Sequence, residues 1–127
     1  MVKRYIAVLE GRVAGEAGEI TLCFRLDPTN RPYQVHDPER GKRGISRWRK
    51  LESNGERTRI EFTPLTGRTH QLRVHAAHHL GLAAPIVGDR LYGSGREGQR
   101  LLLHAAYLRF HHPESGAVME YSSPAPF

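Results

Sequence analysis

The sequence has 127 residues, of which 39% are hydrophobic and 25% are charged. These values are typical of one folded domain and exclude a wholly disordered chain. The single cysteine, Cys23, excludes an internal disulfide framework and a multi-cysteine zinc site. No apolar stretch approaches the roughly 18 residues needed to cross a membrane, and no signal-peptide pattern follows Met1. We therefore expect a soluble, cytoplasmic protein.

The charge balance indicates a polyanionic partner. Nineteen lysines and arginines against thirteen acids give a formal net charge of +6, and clustered cations are favourable beside phosphates. The excess is concentrated between residues 40 and 50, a segment without acids that contains Arg40, Lys42, Arg43, Arg47, Trp48, Arg49 and Lys50. A solvated face that keeps the protein soluble is the alternative, so the charge suggests a nucleic acid without establishing one.

The first half of the chain alternates short apolar runs with turn residues, which predicts β-strands. The run from Tyr5 to Leu9 predicts a strand buried on both faces. Further strands are predicted over residues 20–26, 45–52 and 57–64, while residues 27–43 are mostly loop with one short extended piece. The Asn54-Gly55 pair predicts a hairpin between the last two strands.

The periodicity then changes. Apolar residues at Leu72, Ala76 and Leu80 recur at helical spacing, which predicts a helix over residues 69–80. Residues 82–100 form a predicted loop, and strands are predicted over 101–112 and 118–121 with a hairpin turn between them. The whole chain, residues 1–127, is therefore predicted to form a single α+β domain with more strand than helix.

One segment concentrates polar side chains where the predicted helix begins. Residues 67–75 place Arg68, His70, Gln71, Arg73 and His75 directly after a strand. Because a helix N-terminus is electropositive, such a cluster is suited to hold a carboxylate or a phosphate. The alternative is a helix start whose polar residues only face solvent.

The eight histidines raise the question of a metal site. His75 and His79 have the i, i+4 spacing at which two imidazoles can share one ion. No glutamate follows His75, however, and no carboxylate or cysteine ligand is near in sequence. Packing and hydrogen-bonding roles are therefore favoured over a metal site.

The residues Thr66 to His75 resemble the G-R-T-H-Q-[IL]-R-x-H motif of the RluA-type RNA pseudouridine synthases. Residues 3–8 are similar to the K-x-Y-x-A-x-V strand of that family, and residues 85–93 to its P-I-x-G-D-x-x-Y-G loop. The resemblance continues through Leu101–Ala105 to the C-terminus and so covers essentially the whole chain. Residues 30–42 and 47–49 look like the subgroup that modifies both ribosomal and transfer RNA. Ala84 is a small departure, since the family usually has histidine there.

A larger departure concerns the catalytic nucleophile. The resemblance implies an aspartate in an H-R-L-D-x-x-T-S-G motif before the K-x-Y strand, and that position would precede Met1. Asp27 lies in a similar run, Phe24 to Asn30, but this run lacks the leading histidine and the Thr-Ser-Gly. It also follows Tyr5 in the chain instead of preceding it. We therefore interpret Asp27 as a turn residue beside Pro28.

The resemblance implies a mixed, mostly antiparallel sheet with one main helix, the C-terminal part of a pseudouridine synthase fold. It implies isomerisation of uridine to pseudouridine in rRNA or tRNA, without cofactor or metal. We also expect the protein to be a monomer and to bind no membrane. Arg73 would pair with the nucleophilic aspartate, and Tyr5 would lie against the base and handle the proton. Substrate-binding roles are implied for Arg68, His70, Gln71, Arg47 and Arg49.

These implications predict a catalytic-domain fragment that is inactive alone. We expect Arg73 to face an open pocket near Tyr5 and to contact a bound anion, solvent or a substitute carboxylate, so that Arg73→Ala costs little stability. Two alternatives stay open, namely a non-catalytic RNA-binding module and a metal- or ligand-binding domain.

Overall fold

The computed structural model describes all 127 residues. One seven-stranded sheet has the order β3-β2-β4-β5-β1-β6-β7, and every pair of neighbouring strands is antiparallel. The single helix, α1, comes between β5 and β6. The predicted α+β class is confirmed. The elements are β1 (Val2–Glu10), β2 (Ala17–Leu26), β3 (Gln34–His36), β4 (Lys42–Ser53), β5 (Arg57–Pro64), α1 (Gln71–Ala77), β6 (Leu103–His111) and β7 (Val118–Ser122).

The hairpin between β4 and β5 forms as predicted. The Asn54 side-chain oxygen accepts hydrogen bonds from the backbone N–H groups of Glu56 and Arg57, at 3.0 and 2.9 Å. Gly55 has φ 89°, a left-handed conformation that favours glycine. The turn therefore fixes the register in which Ser53 lies opposite Thr58, and a one-residue register shift between Lys50 and Glu52 then brings Trp48 opposite Phe62.

Only one face of the sheet carries the core. Ala7 and Leu9 of β1 are fully buried, whereas Ile6 and Val8 are half-buried. The prediction that this strand is buried on both faces is therefore wrong, because α1 and the segment after it cover one side of the sheet only. The core residues include Ala7, Leu9, Ile20, Leu22, Phe24, Trp48, Ile60, Phe62, Leu72, Val74, Ala76 and Ile86.

Helix α1 is shorter than the predicted 69–80. His70 immediately before it has the left-handed φ of 57°, and His78 after it is extended. The chain then folds back on the helix, because the backbone N–H of Leu82 bonds the carbonyl of His75 at 3.0 Å. Leu80 is consequently 60% exposed instead of buried. No helix in this fold has the length and apolar composition required to traverse a bilayer.

Candidate functional site

Tyr5 and Arg73 line one cavity of about 310 Å³ between the beginning of β1 and helix α1, which we call the candidate site. Tyr5 lies on the same face of β1 as the buried Ala7 and Leu9, because side chains of a strand alternate. Arg73 reaches the cavity from α1. The structure thus places these two predicted catalytic residues together. The cavity is lined by Lys3, Tyr5, Pro64, Thr66, Gly67, Arg68, His70, Gln71, Leu72, Arg73 and Leu103.

Arg73 is held by a carboxylate from the loop before β6. Its Nε lies 3.1 Å from Oδ2 of Asp89, and its Nη2 lies 2.6 Å from Oδ1. Asp89 is fully buried and also accepts hydrogen bonds from the backbone N–H groups of Leu91 and Tyr92, at 3.0 and 3.1 Å. Of the expected partners of Arg73, the structure shows a carboxylate, that of Asp89, which occupies the edge formed by Nε and Nη2.

The pKa values indicate that this pair is charged. Burial by itself would raise the pKa of Asp89, but the hydrogen bonds from Arg73 and from the backbone outweigh it and lower that pKa. The hydrogen bond to Asp89 raises the pKa of Arg73 against the opposing effect of burial. The cation therefore lies at the wall of the cavity with its counter-ion beneath it.

Part of the Arg73 guanidinium remains available for a ligand. A guanidinium has five N–H donors, and the contacts with Asp89 use its Nε and one Nη2 hydrogen. The edge formed by Nη1 and the second Nη2 hydrogen makes no hydrogen bond within the protein, and the side chain is 20% exposed. This edge has the geometry that binds a second carboxylate or a phosphate through two hydrogen bonds.

His70 is oriented by Tyr92. The Tyr92 hydroxyl accepts a hydrogen bond from the backbone N–H of Gln34 at 2.9 Å and lies 2.8 Å from Nδ1 of His70. The hydroxyl can therefore donate its own proton to Nδ1 of His70. Because Nδ1 is then the acceptor, the His70 tautomer with hydrogen on Nε2 is favoured. Burial, assisted by the nearby Arg73 charge, lowers the pKa of His70. His70 therefore lies at the cavity as a neutral hydrogen-bond donor.

Gln71 was predicted to bind substrate, but its amide is fully engaged within the protein. It is 5% exposed and donates to the Ile45 carbonyl at 2.9 Å and to the Ser46 hydroxyl at 2.8 Å. Its oxygen accepts from the Thr66 hydroxyl at 2.7 Å and from the Arg68 N–H at 2.9 Å. These four hydrogen bonds fix the loop before α1 against β4, so the contacts support a positioning role.

Arg47 and Arg49 were expected to contact substrate, and the structure does not place them at the candidate site. They are exposed on one face of β4, while Ser46 and Trp48 are buried on the other. Because Trp48 shares the core face with the candidate site, both arginines lie on the far side of the sheet. They form ion pairs there with Glu19 at 3.3 Å and Glu61 at 3.2 Å. A contact with RNA elsewhere on this face stays a prediction.

Asp27 lies in the turn after β2, as its neighbouring residues predicted. Its carboxylate accepts hydrogen bonds from the Asn30 side chain at 3.1 Å and from the Thr29 N–H and hydroxyl at 3.1 and 2.9 Å. These bonds, with Asn30 the largest contributor, lower the pKa of Asp27. The carboxylate therefore stabilises the turn.

The paired histidines of the predicted helix have separate surroundings. His75 is fully buried, packs against Phe24 at a ring distance of 5.3 Å and has no hydrogen-bond partner at either nitrogen. His79 lies beyond the end of α1 and stacks on His78 at 4.4 Å. The structure contains no group of three or more potential His, Cys, Asp or Glu ligands close enough to hold a metal ion.

The chain is similar to known proteins over almost its whole length. The family described as RNA pseudouridylate synthase matches residues 1–78. The chain is 40% identical over 132 residues to the dual-specificity RNA pseudouridine synthase RluA of Haemophilus ducreyi. It is 39% identical over 129 residues to the protein of that name from Escherichia coli. Each comparison covers 98% of this chain and 58% of the relative, so the chain spans little more than half the length of these proteins.

Solved structures agree with this similarity. Human RNA pseudouridylate synthase domain containing 1 superimposes with a TM-score of 0.79 at 31% identity, over 99% of this chain and 55% of the human one. Human RNA pseudouridylate synthase domain containing 4 has a TM-score of 0.73 at 22% identity, over 98% and 58% of the two chains, and supports the fold alone. On the family match and these relatives together, the chain belongs to the RNA pseudouridine synthase family.

Proposed function

We propose that this chain is the C-terminal part of the catalytic domain of a cytoplasmic RNA pseudouridine synthase that acts on uridines in ribosomal and transfer RNA. The observation that carries this proposal is that Tyr5 and the Asp89-bound Arg73 line one cavity. The names of the bacterial relatives, which describe dual-specificity RNA enzymes, support the substrate class. Such an enzyme breaks the N-glycosidic bond of uridine, turns the uracil and rejoins it through C5, from which a hydrogen is lost.

Arg73 has the geometry to serve the nucleophile of this reaction. Its outer edge pairs with the carboxylate that the family uses, and its positive charge keeps that carboxylate ionised. The H-R-L-D-x-x-T-S-G motif that would supply this carboxylate is not in the present sequence. Asp89 holds the guanidinium from the opposite edge, so that Arg73 joins two carboxylates.

Tyr5 and His70 supply the groups that meet the base. The target uridine has to leave its stack before both faces of the base are accessible. Tyr5 lies against the extruded base and handles the proton, while His70 donates a hydrogen bond from Nε2. Arg68, exposed beside the same cavity, contacts the phosphate of this nucleotide. Gln71 positions Arg68 by fixing the loop before α1.

The proposal is tested with a hybrid enzyme in which residues 1–127 replace the matching part of the Haemophilus ducreyi relative. Tritium release from RNA labelled at C5 of uridine measures formation of the new carbon–carbon bond. We expect release by the hybrid and none by its Arg73→Ala form, with RNA affinity largely retained. A folded hybrid that releases no tritium, or an Arg73→Ala hybrid as fast as its parent, would contradict the proposal.

A non-catalytic RNA-binding module is the second candidate, because the nucleophile motif is absent from the sequence. The two candidates agree in predicting weak, salt-dependent RNA binding by this chain. They differ in the hybrid, since a binding module gives RNA affinity without tritium release.

A further inference from the structure

A second pocket, of about 410 Å³, lies at the edge of the sheet where β2 and β4 meet the loop before α1. We call it the cationic pocket, because four basic side chains line it, namely Arg25, Arg40, Lys42 and Arg68. Neither Tyr5 nor Arg73 lies in its wall, and its basic residues come from three different segments of the chain.

The cationic pocket contains more positive than negative charge. Asp37 pairs with Arg25 at 2.8 Å, and Glu39 is exposed in the adjoining loop. Arg40, Lys42 and Arg68 form no ion pair. Like charges gathered in a concave surface repel one another and attract an anion. The pocket is therefore electrostatically suited to a phosphate.

The loop that carries Arg40 is ordered by the same aspartate. The Asp37 carboxylate accepts hydrogen bonds from the backbone N–H groups of Glu39 and Arg40, at 3.0 and 3.1 Å. The backbone bond from Arg40 and the side-chain bond from Arg25 lower the pKa of Asp37. The backbone of Arg40 is thus fixed before any ligand binds, which lowers the part of the entropy cost of binding that comes from ordering this loop.

The cationic pocket adjoins the candidate site. Gly67 and Arg68 line both cavities. The backbone of Arg68 is held by Gln71, and its Nε donates to the Arg43 carbonyl at 3.0 Å. An RNA strand with one nucleotide in the candidate site can therefore continue along the positively charged Arg68 into the cationic pocket.

We propose that the cationic pocket binds a backbone phosphate of single-stranded RNA, next to the nucleotide whose base enters the candidate site. This inference rests on the proposed function for the identity of that neighbouring nucleotide. Arg40 and Lys42 bind the phosphate, Arg68 bridges the two sites, and Arg25 with Asp37 maintains the shape of the pocket. The contact is independent of base sequence, because every nucleotide carries the same phosphate.

The experiment measures binding of the 127-residue chain to short fluorescent single-stranded RNAs by anisotropy over a range of salt concentrations. The test variant carries Arg40→Gln and Lys42→Gln, substitutions that leave the backbone bonds to Asp37 in place. The control carries Arg57→Gln and Arg109→Gln, which remove the same charge from exposed positions outside both cavities. Thermal melting establishes that both variants fold.

We expect the test variant to bind several-fold more weakly at low salt. Its plot of log affinity against log salt should be shallower by about 0.7 for each RNA phosphate that the variant no longer neutralises. The control should keep the parent slope. Equal slopes for the two variants, or no RNA binding by the parent chain at low salt, would overturn the inference.

A second probe separates this inference from the proposed function. An RNA in which cytidine replaces the single uridine should show the same weakening in the test variant, since the phosphate is unchanged. A weakening confined to the uridine RNA would overturn the phosphate assignment. Failure of the hybrid enzyme to release tritium would remove the proposed function while leaving this result intact.

Discussion

Arg73 and Asp89 form a two-point ion pair in which the carboxylate is fully buried and the Arg73 side chain is 20% exposed. The pair connects α1 to the loop before β6, two segments that are also joined by backbone hydrogen bonds from Leu82 to His75 and from Ala84 to Ala76. Arg73 therefore has a structural partner as well as a free edge in the candidate site. This arrangement changes the expectation that Arg73→Ala costs little stability.

Arg73→Ala should lower the free energy of unfolding by about 3 kcal/mol, because it leaves the buried Asp89 carboxylate without its counter-ion. Urea denaturation of the 127-residue chain measures the effect. Arg90→Ala is the matched control, since Arg90 is exposed and forms no ion pair. Equal unfolding free energies for the two variants would show that the pair contributes nothing.

Asp89→Asn should slow the hybrid enzyme while leaving its RNA affinity unchanged. The asparagine oxygen can still accept the backbone hydrogen bonds of Leu91 and Tyr92, but the charge that orients Arg73 is removed. A misplaced catalytic group costs about 10²-fold in rate, and the decrease should appear in kcat and not in KM. Asp27→Asn is the control and should retain the parent rate, because that carboxylate stabilises a distant turn. A rise in KM alone would assign Asp89 to substrate binding.

The stability of the chain should depend on pH through His75. Burial lowers the pKa of His75 from 6.5 to about 4, opposed by the backbone of Gly44 and assisted to a smaller extent by the charge of His78. The unfolded chain therefore binds a proton below about 6.5, whereas the folded chain does so only near 4. The contribution of His75 to stability is complete above pH 6.5 and falls by up to about 3 kcal/mol as the pH drops to 4.

His75→Leu should remove that part of the pH dependence and leave the part that comes from carboxylates. Urea denaturation between pH 4 and 7 measures it, with His79→Leu as a control at an exposed histidine. Parallel curves for the parent and His75→Leu would assign the acid sensitivity to other groups.

Gln71→Ala should reduce stability by about 2 kcal/mol, since it removes the partner of the buried Ser46 hydroxyl and one of the two hydrogen bonds to the Ile45 carbonyl. It should also release the loop that carries Arg68, which hydrogen exchange of the Arg68 amide would detect. Thr69→Ala, at an exposed position of the same loop, should change neither quantity. Unchanged exchange at Arg68 in Gln71→Ala would contradict the positioning role.

The 127-residue chain alone should release no tritium from C5-labelled RNA. Neither Arg73 nor Tyr5 can replace a carboxylate nucleophile in this reaction. The hybrid enzyme is the positive control for the assay. Measurable turnover by the isolated chain would make Asp27 the residue to substitute first, by Asp27→Asn.

The strands were predictable because their signals are local. The alternation in β4 and the Asn54-Gly55 turn determine the hairpin through neighbouring residues alone. The extent of α1 was not predictable in this way, since its C-terminal end depends on the chain returning to the His75 carbonyl. The one-sided burial of β1 likewise depends on what packs against the finished sheet.

The candidate site, like the fold, was predictable where the signal is local and not where it depends on tertiary structure. The two motifs predicted that Tyr5 and Arg73 share a pocket, and both line the candidate site, while their catalytic roles stay a prediction. They did not identify Asp89 as the partner of Arg73, because the two residues are 16 positions apart and meet only through tertiary structure. The basic run from 40 to 50 is continuous in sequence, yet strand alternation separates Arg47 and Arg49 from the candidate site, and Trp48 belongs to the core.

Tyr92 connects the wall of the cationic pocket to the wall of the candidate site. Its hydroxyl holds the backbone of Gln34 in the edge strand β3 and also His70, while its ring lies 5.4 Å from the guanidinium carbon of Arg73. Because Gln34 lines the cationic pocket while His70 and Arg73 line the candidate site, a movement of the edge strand at Gln34 would reach the candidate site through the Tyr92 side chain.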